Sequence, residues 1–399
     1  MGVQKNVLDS ITAFQDDLVA WRHDLHAWPE IGFEETRTAA LVADKLESWG
    51  YEVHRGVGRT GVVGVLRGRA ARDAAGAGGN LRRVGLRADM DALPMEEATG
   101  LPFASRNPGR FHGCGHDGHT AMLLGAARYL AETRNFDGVV NLIFQPAEEG
   151  LGGARAMLAD GLFERFPCDE IYALHNAPVG PSGHVGICRG AAMAGADFFD
   201  IEITGKGSHG AMPNAGVDPV MVATALAQAM QTIVSRNIDP HQPAVVSVTR
   251  IHAGSAYNVI PEKATLAGTV RAFDDRVLRK IRARIETLAQ GIAAAYGATA
   301  RVEIRNIFNV LNNHDDQCDA MAEAATELLG ADRVHLDETP KMGSEDFADM
   351  LQRAPGAYVW LTGDVSAPLH NPAFVFDDKI LPVGAALLAR IAEKRATAA

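Results

Sequence analysis

Five residues able to hold a transition metal lie far apart in this 399-residue chain, each at the end of an apolar run. The stretches GCGHDGHT, FQPAEEG, YALHN and PLHNP supply Cys114, His116, Glu149, His175 and His370. Three imidazoles, a thiolate and a carboxylate suit a borderline divalent cation such as zinc, cobalt, nickel or manganese. A closed tetrahedral structural site needs four ligands, one fewer than this set offers. The surplus, with the unassigned carboxylate Glu148 beside Glu149, points to two ions and a reaction rather than a structural clip.

In GCGHDGHT one glycine separates Cys114 from His116. A glycine-rich turn can aim both side chains at one point, and a thiolate sulfur can bridge two cations. Alone, the stretch reads equally as a buried inert cysteine beside a capping histidine. His119, one turn further on, is expected to support or pack against the site rather than ligate. Asp117 is expected to cap the helix or orient His116. Adjacent glutamates after an apolar strand would by themselves form a solvated turn. Here the strand holds them at the edge of a sheet, so Glu149 is expected as a ligand and Glu148 as general base and proton shuttle. Partial desolvation would tune the base upward towards the working pH. Asp89, closing RVGLRADM, is placed to hold a ligand histidine in one tautomer, whereas Asp91 reads equally as a turn former.

The elements that position these residues alternate. Helices are predicted over Thr36 to Trp49 and Asp117 to Thr133, and strands over Arg83 to Met90, Val139 to Phe144, Ile171 to Leu174 and Ala357 to Leu361. That alternation predicts an α/β fold with a mainly parallel sheet, helices on both faces, and sites where strands end. The pattern changes after residue 193. A strand over Phe198 to Thr204, a helix opened by Asp218-Pro219, strands over Val245 to Ile251 and Thr265 to Phe273, a second helix and a strand over Ala300 to Ile307 follow. The order βαββαβ is ferredoxin-like. The expected domains are 1–193 and 309–399 as one catalytic domain, with 194–308 inserted as a lid. Residues 70–80, rich in Gly and Ala, are expected to form a mobile loop.

The net charge of −11, with no block of Lys and Arg to offset it, argues against nucleic acid as partner. No run of about 18 apolar residues exists, so no membrane span is expected. Met1 to Trp21 reads as one amphipathic polar helix without the basic start and apolar middle of a secretory signal. Four cysteines without CxxC spacing suggest a reduced, cytoplasmic setting.

RHDLHAWPEIGFEE, LRADMDALPMEE, GCGHDGHTAMLLGAA, FQPAEEGLGGARAML, LHN, GKGSHGAMP, NVIPEKATLAGTVRAF, MGSEDF and LHNPAF follow one another in that order. With these motifs the chain resembles the M20 metallopeptidase superfamily, in the branch of hippurate hydrolase, N-acyl-amino-acid amidohydrolases and auxin-conjugate hydrolases. The resemblance covers almost all of it. It implies a zinc-peptidase-like catalytic domain with an inserted dimerisation lid, hence a homodimer or higher homo-oligomer. It implies two divalent ions (Zn, Mn, Co or Ni) bridged by Cys114, one completed by His116 and His175, the other by Glu149 and His370. It makes Glu148 the base, gives His209 the developing oxyanion, often across the dimer, and sets Asn258 and Arg271 on the substrate carboxylate or carbonyl. The implied reaction cleaves the amide of a small N-acyl amino acid, hippurate-like substrates first. Deacetylation of N-acetyl amino acids or N-acetyldiaminopimelate, and dipeptide cleavage, are the alternatives within the class. A non-catalytic metal- or ligand-binding protein is the alternative outside it.

Overall fold

The computed structural model describes residues 6–73, 81–178 and 180–397. The chain divides into two compact units. The first comprises the chain up to Gly190 with Asn312–Thr339 and everything from Asp346 on; the second is Ala191–Leu311 with Pro340–Glu345.

The first unit is a mixed α/β layer structure. Its strands include β1 (Glu52–Val57), β2 (Gly61–Arg67), β3 (Arg83–Asp89), β4 (Val139–Gln145), β5 (Glu170–Ala177) and β6 (Val185–Gly186). The eight-stranded sheet runs β1, β2, β4, β3, β5, then Gly356–Thr362, β6 and Val334–His335. β4, β3, β5 and Gly356–Thr362 are parallel; β1 and β2 extend the sheet antiparallel. Every residue of β4 and β5 is buried, which is why VVNLIFQ and EIYALHNA read as continuous rather than alternating apolar runs.

Helices α1 (Val7–Thr12), α2 (Gln15–Ala27), α3 (Thr36–Ser48), α4 (Arg69–Asp73) and α5 (His116–Thr133) precede or follow these strands. The single helix expected over Met1 to Trp21 is two. The chain leaves the helical region at Phe14 (φ −123°, ψ 29°), whose ring lies 4.4 Å from the Arg128 guanidinium carbon. The loop expected over 70–80 begins instead as α4, and residues 74–80 lie outside the described residues. α5 is buried along nearly its whole length and packs between α2 and Leu381–Arg395. Met122, Leu123, Leu124 and Leu130 are fully buried there, each worth roughly 1.5–3 kcal/mol. That packing fixes the helix whose first residue is His116.

In the second unit the strands Ala244–Ala253, Lys263–Ala272, Gly195–Thr204 and Thr299–Phe308 form an antiparallel sheet in that order. Phe199, Ile201 and Ile203 alternate inward against Val222, Leu226 and Met230 of Pro219–Thr232 and Leu278, Ile281 and Ile285 of Asp275–Ala295. Asp200 and Glu202 alternate outward, pairing with Arg250, Arg305 and Lys263. Asp218 and Asp274 cap the two helices, accepting the N–H of Val220 and Arg276. Lys341 of the returning segment donates its N–H to Ala192 O (2.9 Å). Among the described residues no helix is long and apolar enough to cross a membrane.

Candidate metal centre

β3, β4 and β5 run parallel, with Asp89 opposite Gln145, so the chain leaves all three at one edge. Glu148 and Glu149 follow β4, His175 lies near the end of β5, and α5 opens at His116. Gly115, between Cys114 and His116, has φ +94°, and a Cβ there would meet Asn176 Oδ1 at 2.5 Å. Only glycine fits this turn, which brings both flanking side chains to the same point. Cys114 Sγ lies 3.4 Å from His175 Nε2. Donor atoms of Cys114, His116 and His175 lie within 4.8 Å of one another, and so do those of Cys114, Glu149 and His370. Cys114 belongs to both triads. Glu148 forms a third such group with His116 and Glu149. The five predicted ligands and Glu148 therefore converge within the first unit.

The donor atoms left over fit a cation. His116 Nδ1 faces Asp91 Oδ1 at 3.2 Å, while its Nε2 is buried without a hydrogen-bond partner. His175 Nδ1 donates to Asn176 O at 2.7 Å, which leaves the Nε2 lone pair towards Cys114. Glu149 Oε1, 3.2 Å from His370 Nε2, is also buried without an aligned hydrogen bond. An orphaned buried polar atom costs about 1–3 kcal/mol, and two of them in the same cluster of donors suit a divalent ion.

Electrostatics agree. Burial pushes the Cys114 thiol up, and Glu149 adds to the push. Burial would lower His116, but the Asp89 carboxylate and Cys114 outweigh it and hold the imidazole well above its usual value. Burial drives His175 well below, so it stands neutral. The neighbouring Cys114 sulfur and Glu149 carboxylate raise His370 to about 10. Protons thus occupy the positions a cation would take, and cation binding must displace them. His370 (φ 61°) and Ala147 (φ 53°) both sit in the left-handed region, at a cost on the order of 1–3 kcal/mol each. The N–H of His370 is held by Gly113 O at 2.8 Å.

The supporting carboxylates differ from expectation. Asp117 neither caps α5 nor touches His116. Its Oδ2 accepts from Arg22 Nη1 (3.2 Å) and His26 Nδ1 (2.8 Å), pinning α2 to the start of α5. Asp91, which the sequence left open as a turn former, orients His116 and also accepts the Glu149 N–H at 3.0 Å, tying two ligand stretches together. It lies beyond the end of β3, where strand periodicity carries no signal. Asp89 holds His119 (Oδ1 to Nδ1, 2.6 Å) and accepts from Arg87 (2.7 Å), with His116 Nε2 3.8 Å away. His119 has both ring nitrogens engaged, Nε2 taking the Asn176 N–H at 3.1 Å. His209, Asn258 and Arg271 lie in the second unit. There His209 pairs with Val259, next to Asn258, and the Arg271 guanidinium donates to Ser344 Oγ.

His26 yields a stability test. Burial lowers its pKa, but hydrogen bonds to Asp117 and Glu97 prevail and raise it to about 9. A folded value above the unfolded 6.5 means the stabilisation is complete below pH 6.5 and is lost as pH rises through about 9. That difference is worth on the order of 3 kcal/mol. His26→Asn is expected to lower Tm more at pH 6 than at pH 9.5. Thermal scans of both proteins at the two pH values check it, and equal losses would contradict a charged His26.

Comparison with known proteins settles the family. The model of peptidase family M20/M25/M40 matches residues 85–394. The chain belongs to that family. This M20 chain is 43% identical over 389 residues to hippurate hydrolase of Campylobacter jejuni, covering 98% of this chain and 99% of that one. It is 38% identical to N-acetylcysteine deacetylase of Bacillus subtilis over 382 residues, 95% and 97% of the two chains. Its fold matches a Bacillus subtilis protein described as a dinuclear metal-binding peptidase of family M20, with TM-score 0.83, 34% identity, and coverage of 97% and 100%. The M20 chain is a hydrolase that acts on amide bonds.

Proposed function

We propose that this M20 hydrolase removes the acyl group from N-acyl amino acids, with hippurate-like substrates first, at a two-metal site. The observation that carries this reading is the pair of ligand triads sharing Cys114, with Glu148 alongside. Cys114, His116 and His175 would hold one divalent ion, and Cys114, Glu149 and His370 the other. Such ions, when bound, supply Lewis acidity to the amide carbonyl and make a nearby water more acidic. Glu148 takes a proton from the attacking water as its oxygen joins the carbonyl carbon. It returns that proton to the nitrogen as the C–N bond breaks, releasing a carboxylic acid and an amino acid. His209 donates to the developing oxyanion, and Asn258 and Arg271 hold the substrate carboxylate or carbonyl. Zinc, manganese, cobalt and nickel are the candidate ions, and the thiolate and imidazoles in the donor set favour a borderline ion such as zinc. The same reading keeps the protein in a reducing, cytoplasmic setting, where Cys114 stays reduced and available as a ligand. It pairs two chains through the second unit, whose outer strands carry unpaired edges.

The test is a screen of N-acyl amino acids with varied acyl and amino parts, run with zinc, manganese, cobalt and nickel. N-benzoylglycine should exceed the N-acetyl amino acids in kcat/KM. A clear preference for acetyl would favour deacetylation, the second reading, which the similarity to N-acetylcysteine deacetylase supports. No turnover of any member by metal-loaded protein would sink both.

A further inference from the structure

Glu35 belongs to the stretch PEIGFEE and lies just ahead of α3, with no exposed surface at all. A carboxylate so buried needs strong partners. Its Oε1 accepts the N–H of Ala147 at 2.9 Å, and its Oε2 accepts the Thr60 hydroxyl. Ala147 immediately precedes Glu148 and is itself fully buried, with φ 53°. A backbone in that region is unfavourable for alanine and persists only where its surroundings enforce it.

A second feature of the same stretch closes on the same point. A Cβ built on Gly32 would meet Ala147 Cα at 2.9 Å, so only glycine lets this segment reach the turn. The rest of the turn is anchored independently. Asp91 accepts the Glu149 N–H, and Asp346 accepts Gln145 Nε2 at 2.7 Å and the Ala154 N–H at 2.9 Å. Ala147 O takes the Gly153 N–H at 3.0 Å. Among these anchors Glu35 is the side chain that holds the N–H of Ala147, the strained residue next to Glu148. Burial pushes its carboxyl up to about 7 against the pull of the Thr60 hydroxyl, so the group sits there at a cost.

We propose that Glu35 is a positioning residue for the reaction: it locks Ala147 in the left-handed turn and thereby aims Glu148 into the ligand cluster. This rests on the reading of Glu148 as the base. The test uses the full-length, metal-loaded protein, with Glu148→Gln as reference. Glu35→Ala is expected to lower kcat by about tenfold to a hundredfold, the scale for a misplaced reacting group, with KM within about threefold and metal content unchanged. Glu35→Gln keeps an oxygen for the Ala147 N–H and should stay within about threefold of wild type in kcat. Ala147→Gly added to Glu35→Ala should recover at least about half of the logarithmic loss, because glycine adopts the turn without help. If Glu35→Ala does not fold, Glu35→Asp replaces it. Aspartate keeps the charge but is one methylene too short for Ala147, and it must show the same fall.

Wild-type kcat in Glu35→Ala or Glu35→Asp overturns the proposal. So does a loss shared with metal content that Ala147→Gly leaves unrepaired, since that marks a merely structural role. Normal turnover by metal-loaded Glu148→Gln is a separate failure, that of the base assignment.

Discussion

Glu148→Gln should lower kcat by at least about a hundredfold while leaving metal content and Tm unchanged. Glutamine matches glutamate in size, so the buried pocket around residue 148 stays filled. It cannot take a proton from water or return one to the leaving amine. The neighbouring Glu149, grouped with Cys114 and His370 and proposed as a ligand, is untouched by the substitution, so both ions should remain. The check is kcat together with metal analysis of the same sample. Near wild-type turnover in a loaded Glu148→Gln protein would contradict the assignment of the base.

Cys114→Ala should act on both ions together. Cys114 is shared by the two triads, so removing its sulfur takes one ligand from each. Loss of even a supporting partner of a ligand typically costs tenfold to a hundredfold in metal affinity, and loss of the ligand itself should exceed about a hundredfold. After dialysis the variant is expected to retain fewer than two ions per chain and to lose activity in step. Cys168, Cys188 and Cys318 lie outside the ligand groups, and their alanine variants should keep the wild-type stoichiometry. Two tightly held ions in Cys114→Ala would rule out the bridge.

That the five proposed ligands gather in one place was legible because their stretches follow apolar strands or open a helix, and open α/β sheets bring such positions to one edge. His175 followed the same logic, although β5 runs on to Ala177 and takes His175 inside the strand. What stayed hidden depends on partners distant in sequence. His26 meets Asp117 across 91 residues, and Ala147 meets Glu35 across 112. No local period announces such pairs. β1 and β2 were missed for another reason. Gly56, Gly61 and Gly64 dilute the strand signal in EVHRGV and GVVGVLR. At Gly64 the missing side chain leaves room for Leu46, whose methyl would lie 2.9 Å from a Cβ there.

The strand Gly356–Thr362 pairs with β5 in the middle of the large sheet, yet the ribosome makes it only after all of Ala191–Leu311. Until then one whole edge of β5 has no partner, and α5 lacks the cover of Leu381–Arg395. Sheet and helices of the second unit, in contrast, lie in one continuous stretch that can close while still tethered. Synthesis is thus expected to run through a half-built stage with a sticky parallel edge, the kind of contact that is slow to form and prone to mispairing. Protease digestion of nascent chains arrested before residue 356 would show it: cleavage should fall in 1–190 and spare 191–311, and equal protection of both would mean that β5 finds shelter some other way.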